Sequence, residues 1–278
     1  VKPHTRFVGP VESGLHKMML IGLGKHAGAL VYHSGILTMS FPEIIAAVAE
    51  RVLDVCHVCG GMAILENAAD ETALVEAVAP QNFATREPEL LKLANDWLPR
   101  LPFSDVDLLI VDRIGKNISG VGMDANVIGR KFNDHAATPL DSVRCRRIFV
   151  RGLTKESYGN GTGIGLAEFT TRRCVEQVDP VITRINCITG NHPEAAMIPI
   201  TFETDKEAVE AALTTIGMIP PEKARVIQIA NTLHLSRVRV SEAYFEDVRR
   251  SPKMELSGKP YPFPFDNDGW LADVENGH

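Results

Sequence analysis

The apolar positions of the chain recur at helical spacing in some stretches and as short unbroken runs in others, which predicts helices and strands in turn. The clearest helix signal is Ser40 with Pro42 and Glu43, a capping-box start. The apolar residues that follow are spaced to form the inward face of that helix: Ile44, Ile45, Val48 and Val52. The clearest strand signal is the run 108–111, which has an aspartate on each side. An unbroken apolar run of this kind is typical of a central parallel strand covered on both faces.

Further segments continue the alternation. Short apolar segments predict strands at 62–65, 147–150, 196–200, 226–229 and 235–240. Turn and capping signals predict helices after Pro88, from about Ile164, from Asp179-Pro180 with Val181, Ile182 and Ile185 inward, from Thr204 to Gly217, and from Ser241. We therefore expect an α/β protein with mixed, largely parallel sheets flanked by helices. We place a first α/β region at 1–140 and a second α/β domain, ending in an irregular strap, at 141–278.

Composition narrows the classes of partner. The chain has 278 residues, of which 45% are hydrophobic, and a formal net charge of −6. Because nucleic-acid binding rests on clustered Lys and Arg, this charge argues against a nucleic-acid partner. No stretch approaches the roughly 20 continuous apolar residues that would span a bilayer. The five cysteines are an odd number, which favours reduced thiols and predicts a cytoplasmic protein. A small molecule is therefore the expected ligand.

Residues 2–33 combine histidines, lysines and glycines in the segment KPHTRFVGPVESGLHKMMLIGLGKHAGALVYH. Glycine lets a ligand approach the main chain closely. Histidine is both a metal ligand and a proton carrier near neutral pH, and lysine can attack an electrophile or hold an anion. A single histidine is more often an ordinary surface or hydrogen-bonded residue, so only the combination points to a cofactor site.

This segment resembles the region of the nickel-pincer-cofactor-dependent lactate racemase family in which a Pro-His pair precedes a glycine-containing turn, a lysine, an apolar stretch and a histidine. The resemblance implies that Lys17 holds the pyridinium-derived nickel-pincer nucleotide through a thioamide, that His33 ligates nickel, and that His4 transfers protons. Between His4 and Lys17 the chain is a few residues longer and carries Glu-Ser-Gly at 12–14 in place of a more glycine-rich turn. We therefore expect a divergent branch whose substrate need not be lactate.

The implied activity is racemisation or epimerisation of a 2-hydroxy acid, an isomerase reaction. The cofactor carbon accepts a hydride from the α-carbon and returns it to the other face, while a histidine takes the hydroxyl proton. In this family the second base and the phosphate-binding segments precede the lysine motif. We therefore expect a C-terminal portion of a longer protein, partnered by a missing N-terminal half and inactive by itself. Without dedicated cofactor synthesis we expect the apo form.

The loop at 112–130 follows the best predicted strand, where open α/β sheets place their ligands. Lys116 and Arg130 could bind a substrate carboxylate there, and the alternative is a polar surface loop held by Asx turns. The segment 158–166, YGNGTGIGL, could bind an anion but more often marks a tightly packed turn. Cys56 and Cys59 have metal-ligand spacing, but buried thiols are the favoured interpretation because no second ligand pair exists. The carboxylates at 66–71 suggest either a strand-end site or a capped helix start.

Two other classes of function fit the same residues. One is a non-catalytic module that binds small carboxylates or a metal. The other is a metal-dependent hydrolase that uses His4, His26 or His33. The expected partner of the racemase is a small 2-hydroxy carboxylate, and a homo-oligomer is compatible with the sequence.

Overall fold

The computed structural model describes residues 1–35, 39–131, 138–139 and 141–274, without the side chains of His33 and Phe41. The chain divides into two compact units. The first comprises Val1–Pro99 and Cys187–His192, and the second comprises Arg100–Asn186 and Pro193–His278. Each unit has its own hydrophobic clusters.

The first unit consists of helices and one hairpin. Its helices are α1 (Leu15–Lys17), a π-helical turn (Met18–Gly22), α2 (Leu23–Gly35), α3 (Phe41–Val55) and α4 (Phe83–Asp96). Its strands, β1 (Gly61–Glu66) and β2 (Thr72–Val78), pair antiparallel. Leu15, Ala49, Leu65, Phe83 and Leu90 form the centre of one buried cluster, which holds α1, α3, α4 and the hairpin together.

Two predicted helices of this unit are present, but the cap of one and the start of the other differ from the prediction. Helix α3 begins directly after Ser40, but the Ser40 side chain makes no capping hydrogen bond. Helix α4 begins at Phe83, five residues before Pro88, which lies inside the helix. The carboxylates at 66–71 lie in the hairpin turn, where Asp70 has φ +61 and Asn67 accepts main-chain hydrogen bonds. The helix start predicted there is therefore wrong.

The second unit is built on a six-stranded sheet in the order β6-β5-β4-β3-β7-β8. Its strands are β3 (Asp105–Val111), β4 (Arg144–Val150), β5 (Phe169–Thr171), β6 (Ile200–Phe202), β7 (Val226–Ile229) and β8 (Val238–Val240). Every pair is parallel except β7 with β8. The predicted α/β class is confirmed. Because all residues from Val106 to Val111 are buried, the apolar run predicted as a central strand does lie between two neighbours, β4 and β7.

Helices flank this sheet. They are α5 (Ala125–Ile128), α6 (Arg172–Val175), α7 (Pro180–Thr189), α8 (Asp205–Leu213) and α9 (Phe245–Arg250). The capping box of α8 is present as predicted, since Thr204 and Glu207 cap each other. The helix predicted from Ile164 is wrong, because only the short 3₁₀ turn Ile164–Leu166 forms before β5. No helix in the described ranges is long and apolar enough to cross a membrane.

Two predictions about organisation differ from the structure. The boundary expected near residue 140 falls between β3 and β4, which pair in parallel over most of their length, so the second unit begins at Arg100 instead. The inward face predicted for α7 is also wrong, because Val181, Ile182 and Ile185 are exposed. Part of the C-terminal strap packs on the sheet of the second unit, where Leu271 is buried against the cluster that contains Phe169.

Candidate functional site

Lys17 occupies the end of a single helical turn, α1, in the first unit. Its Nζ donates a hydrogen bond to Oγ of Ser13 at 3.1 Å, and the side chain is half-buried. The chain continues from Lys17 directly into the π-helical turn Met18–Gly22. Such turns are rare and often occur at functional sites. The predicted attachment lysine therefore lies in unusual local geometry and has an ordered partner.

The surroundings of Lys17 lower the pKa of its amine to about 8, first through burial and second through the positive charge of Lys2. Lys2 is held beside this turn by an antiparallel bridge with Ser13. In that bridge the Lys2 N–H donates to the Ser13 carbonyl at 2.8 Å, and the Ser13 N–H donates to the Lys2 carbonyl at 3.2 Å. At pH 7 about one tenth of the Lys17 amine is therefore neutral and nucleophilic, far more than for an ordinary lysine.

Glu87 of α4 clamps the helical turn that carries Lys17. Its Oε2 accepts the main-chain N–H of His16 at 3.0 Å and lies 2.6 Å from His16 Nδ1. Both side chains are buried. A Cβ on Gly14 would lie 2.3 Å from Glu87 Oε1, so only glycine lets the carboxylate approach so closely. Sequence analysis missed Glu87, although a charged residue in line with the apolar face of Phe83, Leu90 and Ala94 was a usable signal.

His4 is anchored by main-chain and side-chain contacts in the same unit. The Arg6 N–H donates to His4 Nδ1 at 3.1 Å, and the His4 N–H donates to Glu12 Oε2 at 2.5 Å. Because Nδ1 accepts a hydrogen bond, the neutral imidazole carries its proton on Nε2, which lies 3.3 Å from Tyr32 Oη. Burial raises the pKa of Tyr32, so its phenol stays protonated. The imidazole also packs on the Phe7 ring at 4.2 Å between centroids.

The hydrogen bonds described for His4 and Lys17 thus involve different partners. His33 belongs to α2, and its side chain lies outside the described residues. Among the residues that the structure describes, no group of three or more His, Cys, Asp or Glu side chains could hold a metal ion. The exposed Cys56 and Cys59 are free thiols, so the expectation that they are buried is wrong.

The predicted substrate-binding residues lie in the second unit. Lys116 Nζ donates to the Gly120 carbonyl at 2.6 Å and to Asn186 Oδ1 at 3.2 Å. The same Asn186 oxygen accepts from Thr162 Oγ1 at 2.8 Å, which makes this a polar cluster with one cation. Its substrate role stays a prediction.

Arg130 is 1% exposed and donates to Glu168 Oε1 at 2.9 Å and to the Cys145 carbonyl at 3.1 Å. Glu168 also accepts the Ile148 N–H at 2.7 Å. The guanidinium therefore ties the end of the 112–130 loop to the strand β4 that follows it. Its substrate role likewise stays a prediction.

The glycine-rich segment 158–166 is a tightly packed turn. Gly163 has φ +98, and a Cβ there would lie 1.9 Å from the Val121 carbonyl oxygen. A Cβ on Gly165 would lie 2.0 Å from the Glu194 carbonyl oxygen. These glycines are needed because main-chain segments approach one another there, which agrees with the packed-turn interpretation.

A buried ionic network at the carboxyl ends of β3 and β4 was not predicted. Arg151 pairs with Asp112, with Asp205 at 2.7 Å and with Asp273 at 2.7 Å. Its Nη2 also donates to the Leu271 carbonyl. Burial raises the pKa of Asp112, against the opposing effect of Arg151. The network fastens the strap to the sheet, and it occupies the strand ends where the sequence suggested a ligand site.

No family model, curated protein or solved structure matches the chain.

Proposed function

We propose that this chain binds a nickel-pincer nucleotide and takes part in the racemisation or epimerisation of a 2-hydroxy acid. One observation carries the proposal: Lys17, the residue that the sequence motif marks for covalent attachment, presents a half-buried amine with its pKa lowered to about 8. An amine must be neutral to form a bond to an electrophilic carbon. An exposed, fully charged lysine would not suit that task at neutral pH.

The residues of the first unit fit the pincer group at its point of attachment. A pincer ligand chelates its metal through its own donor atoms, so the protein need add only a single side chain, and the motif assigns that role to His33. A site that needs only one protein ligand does not require a cluster of metal-binding side chains, and the described residues contain no such cluster. When bound, the group supplies a carbon that accepts a hydride and returns it.

His4 suits the handling of the hydroxyl proton. Its Nδ1 is occupied by the Arg6 N–H, so the exchangeable proton resides on Nε2 and faces Tyr32. The lone pair of this neutral imidazole is on Nδ1, so Nδ1 is the atom that would take the hydroxyl proton, and it must first release the Arg6 N–H. The hydrogen bond between Nε2 and the Tyr32 oxygen holds the ring in place during this transfer. Lys116 and Arg130, the predicted ligands of the substrate carboxylate, belong to the second unit, and their role in substrate binding stays a prediction.

The deciding experiment is expression of the full reading frame together with the cofactor-synthesis machinery. Intact mass and nickel content are then measured on the purified protein. We expect a mass increase that maps to Lys17 and bound nickel in a stoichiometric amount. Lys17→Ala should lose both, whereas the control Lys25→Ala, an exposed lysine on α2, should retain both. A bare polypeptide mass without nickel would contradict the proposal.

Two histidine variants separate the roles. His33→Ala should lose nickel while Lys17 keeps its adduct. His4→Ala should keep both adduct and nickel but lose the interconversion of the two enantiomers of the substrate. Equal loss of nickel in both variants would make His4 a ligand and not a proton-transfer group.

A further inference from the structure

Ser13 lies in the segment 12–14, Glu-Ser-Gly, where the chain differs from the more glycine-rich turn of the family it resembles. Ser13 contacts the attachment region twice, through its main chain and through its hydroxyl. The main chain pairs with Lys2 in both directions, and the hydroxyl accepts the hydrogen bond from Lys17 Nζ. One residue thereby contacts both the reactive amine and the main chain of Lys2, the second cation.

We propose that Ser13 is the positioning residue of the attachment lysine, holding the Lys17 amine in place and keeping Lys2 beside it. This inference rests on the proposed function, in which Lys17 carries the cofactor. A flexible lysine on a one-turn helix would otherwise swing its amine into water, where full hydration favours the charged form. The hydrogen bond at 3.1 Å keeps Nζ in its half-buried position.

Rigidity on the opposite side of the turn makes this arrangement effective. Glu87 holds both the main chain and the imidazole of His16, so the helical turn cannot rotate freely about its axis. The charged groups near this turn have their own contacts: Glu87 engages His16, Glu12 engages the main chain of His4 and Gly9, and Lys2 acts on Lys17. The Val1 ammonium donates to the Ile64 carbonyl and also interacts with Glu87 and Lys2. Preorganised groups of this kind lose less freedom when a covalent bond forms.

The test is acylation of the full chain without cofactor, using acetic anhydride in trace amounts over a range of pH, with peptide mass spectrometry as the readout. The exposed Lys25 in the same digest serves as the internal reference. At pH 7.5, Ser13→Ala should lower the Lys17 to Lys25 labelling ratio about fivefold, in line with the loss of one hydrogen bond. The pH midpoint of Lys17 labelling should also rise. Ser13→Thr keeps the hydroxyl and should restore both values.

The Lys2 variants test the second contact without touching Ser13. Lys2→Gln should raise the midpoint of Lys17 labelling, and Lys2→Arg, which keeps the charge, should leave it unchanged. Since Lys2 is exposed, these variants are expected to fold, which far-UV circular dichroism checks. An unchanged ratio and midpoint in a folded Ser13→Ala protein would overturn the inference. If Ser13→Ala does not fold, an unchanged midpoint in Lys2→Gln overturns it instead.

The two proposals fail in different ways. If Lys17 labelling follows Ser13 as expected but the co-expressed protein carries no adduct, the cofactor assignment is wrong and the amine serves another electrophile. If adduct and nickel are present but Ser13→Ala loads as fully as the unaltered chain, the attachment stands and the positioning role of Ser13 is wrong.

Discussion

Nδ1 of His16 lies 2.6 Å from Oε2 of Glu87, and both side chains are buried. The carboxylate also accepts the His16 main-chain N–H, so one side chain of α4 secures the turn that carries Lys17. In the described part of the chain, the second carboxylate oxygen, Oε1, has no hydrogen-bond partner. Oε2 is therefore shared between the main chain and the ring of His16.

Glu87→Ala should destabilise the protein by about 3 kcal/mol, because it leaves a buried imidazole and a main-chain N–H without their acceptor. Urea unfolding followed by circular dichroism measures the effect. The matched control is Glu89→Ala on the same helix, where the side chain is 63% exposed and the unfolding midpoint should barely move. Equal midpoints for the two variants would show that the clamp contributes nothing to stability.

The pairing of His16 with Glu87 illustrates what the sequence could not provide. The part of α4 after Pro88 was predictable from its apolar spacing, and so was the central strand β3 from its apolar run, but the first turns of α4, which contain Glu87, were not predicted. The two partners are separated by 71 residues, and nothing in the local pattern of either segment indicates that they meet. The covalent candidate Lys17 came from the motif, whereas Ser13 and Glu87, which hold it, follow only from the tertiary structure.

In the second unit, the buried ion pairs of Arg151 are likewise contacts that the sequence does not indicate. Substitution by Met keeps much of the side-chain volume but leaves Asp112 buried without its counter-charge and Asp205 with Arg173 alone, so Arg151→Met should cost about 3–5 kcal/mol. Arg172→Met, which breaks the exposed pair with Glu203, is the control and should leave the unfolding midpoint almost unchanged. A small effect at Arg151 would mean that the two aspartates become protonated at little cost.

Gly163 tests whether the segment 158–166 is a packed turn. Its φ of +98 is unfavourable for any residue with a side chain, and an added Cβ would lie 1.9 Å from the Val121 carbonyl oxygen. Gly163→Ala should therefore destabilise the protein by about 3 kcal/mol. Gly120→Ala is the control, because a Cβ there has no heavy atom within 4 Å. If thermal unfolding shifts equally in both variants, the close approach at Gly163 is not a constraint.

Helix α7 shows why helical spacing alone gave the wrong face. Val181, Ile182 and Ile185 are at suitable positions for an inward face, yet the helix buries Thr183, which is 3% exposed. The reason is a hydrogen bond, since Thr183 Oγ1 accepts the N–H of Gly161 at 2.9 Å. The buried face thus consists of Thr183, with its contact to a glycine turn, and of Cys187 one turn later, and hydrophobic periodicity does not indicate this face.

A pair of substitutions on α7 checks this orientation. Thr183→Val keeps the shape of the side chain but leaves the buried Gly161 N–H without an acceptor, so it should cost about 1–3 kcal/mol. Ile185→Ser alters a side chain that is 60% exposed and should change the free energy of unfolding by less than about 0.5 kcal/mol. Both free energies are measured by urea unfolding. A larger loss for Ile185→Ser than for Thr183→Val would show that the inward face is the one predicted from the sequence.

The pKa of Lys17 also predicts how stability depends on pH. The folded-state value is about 8 and the ordinary value is 10.5, so between these limits the unfolded chain binds more protons than the folded chain. The free energy of unfolding attributable to Lys17 should therefore rise as the pH increases from 8 to 10.5 and be constant outside that window. Lys17→Met should remove this rise, and Lys25→Met should retain it. Urea unfolding of the unaltered protein and the two variants at pH 7.5 and pH 10 measures this difference. If the unaltered protein and Lys17→Met show the same pH dependence, burial does not lower the pKa of the Lys17 amine.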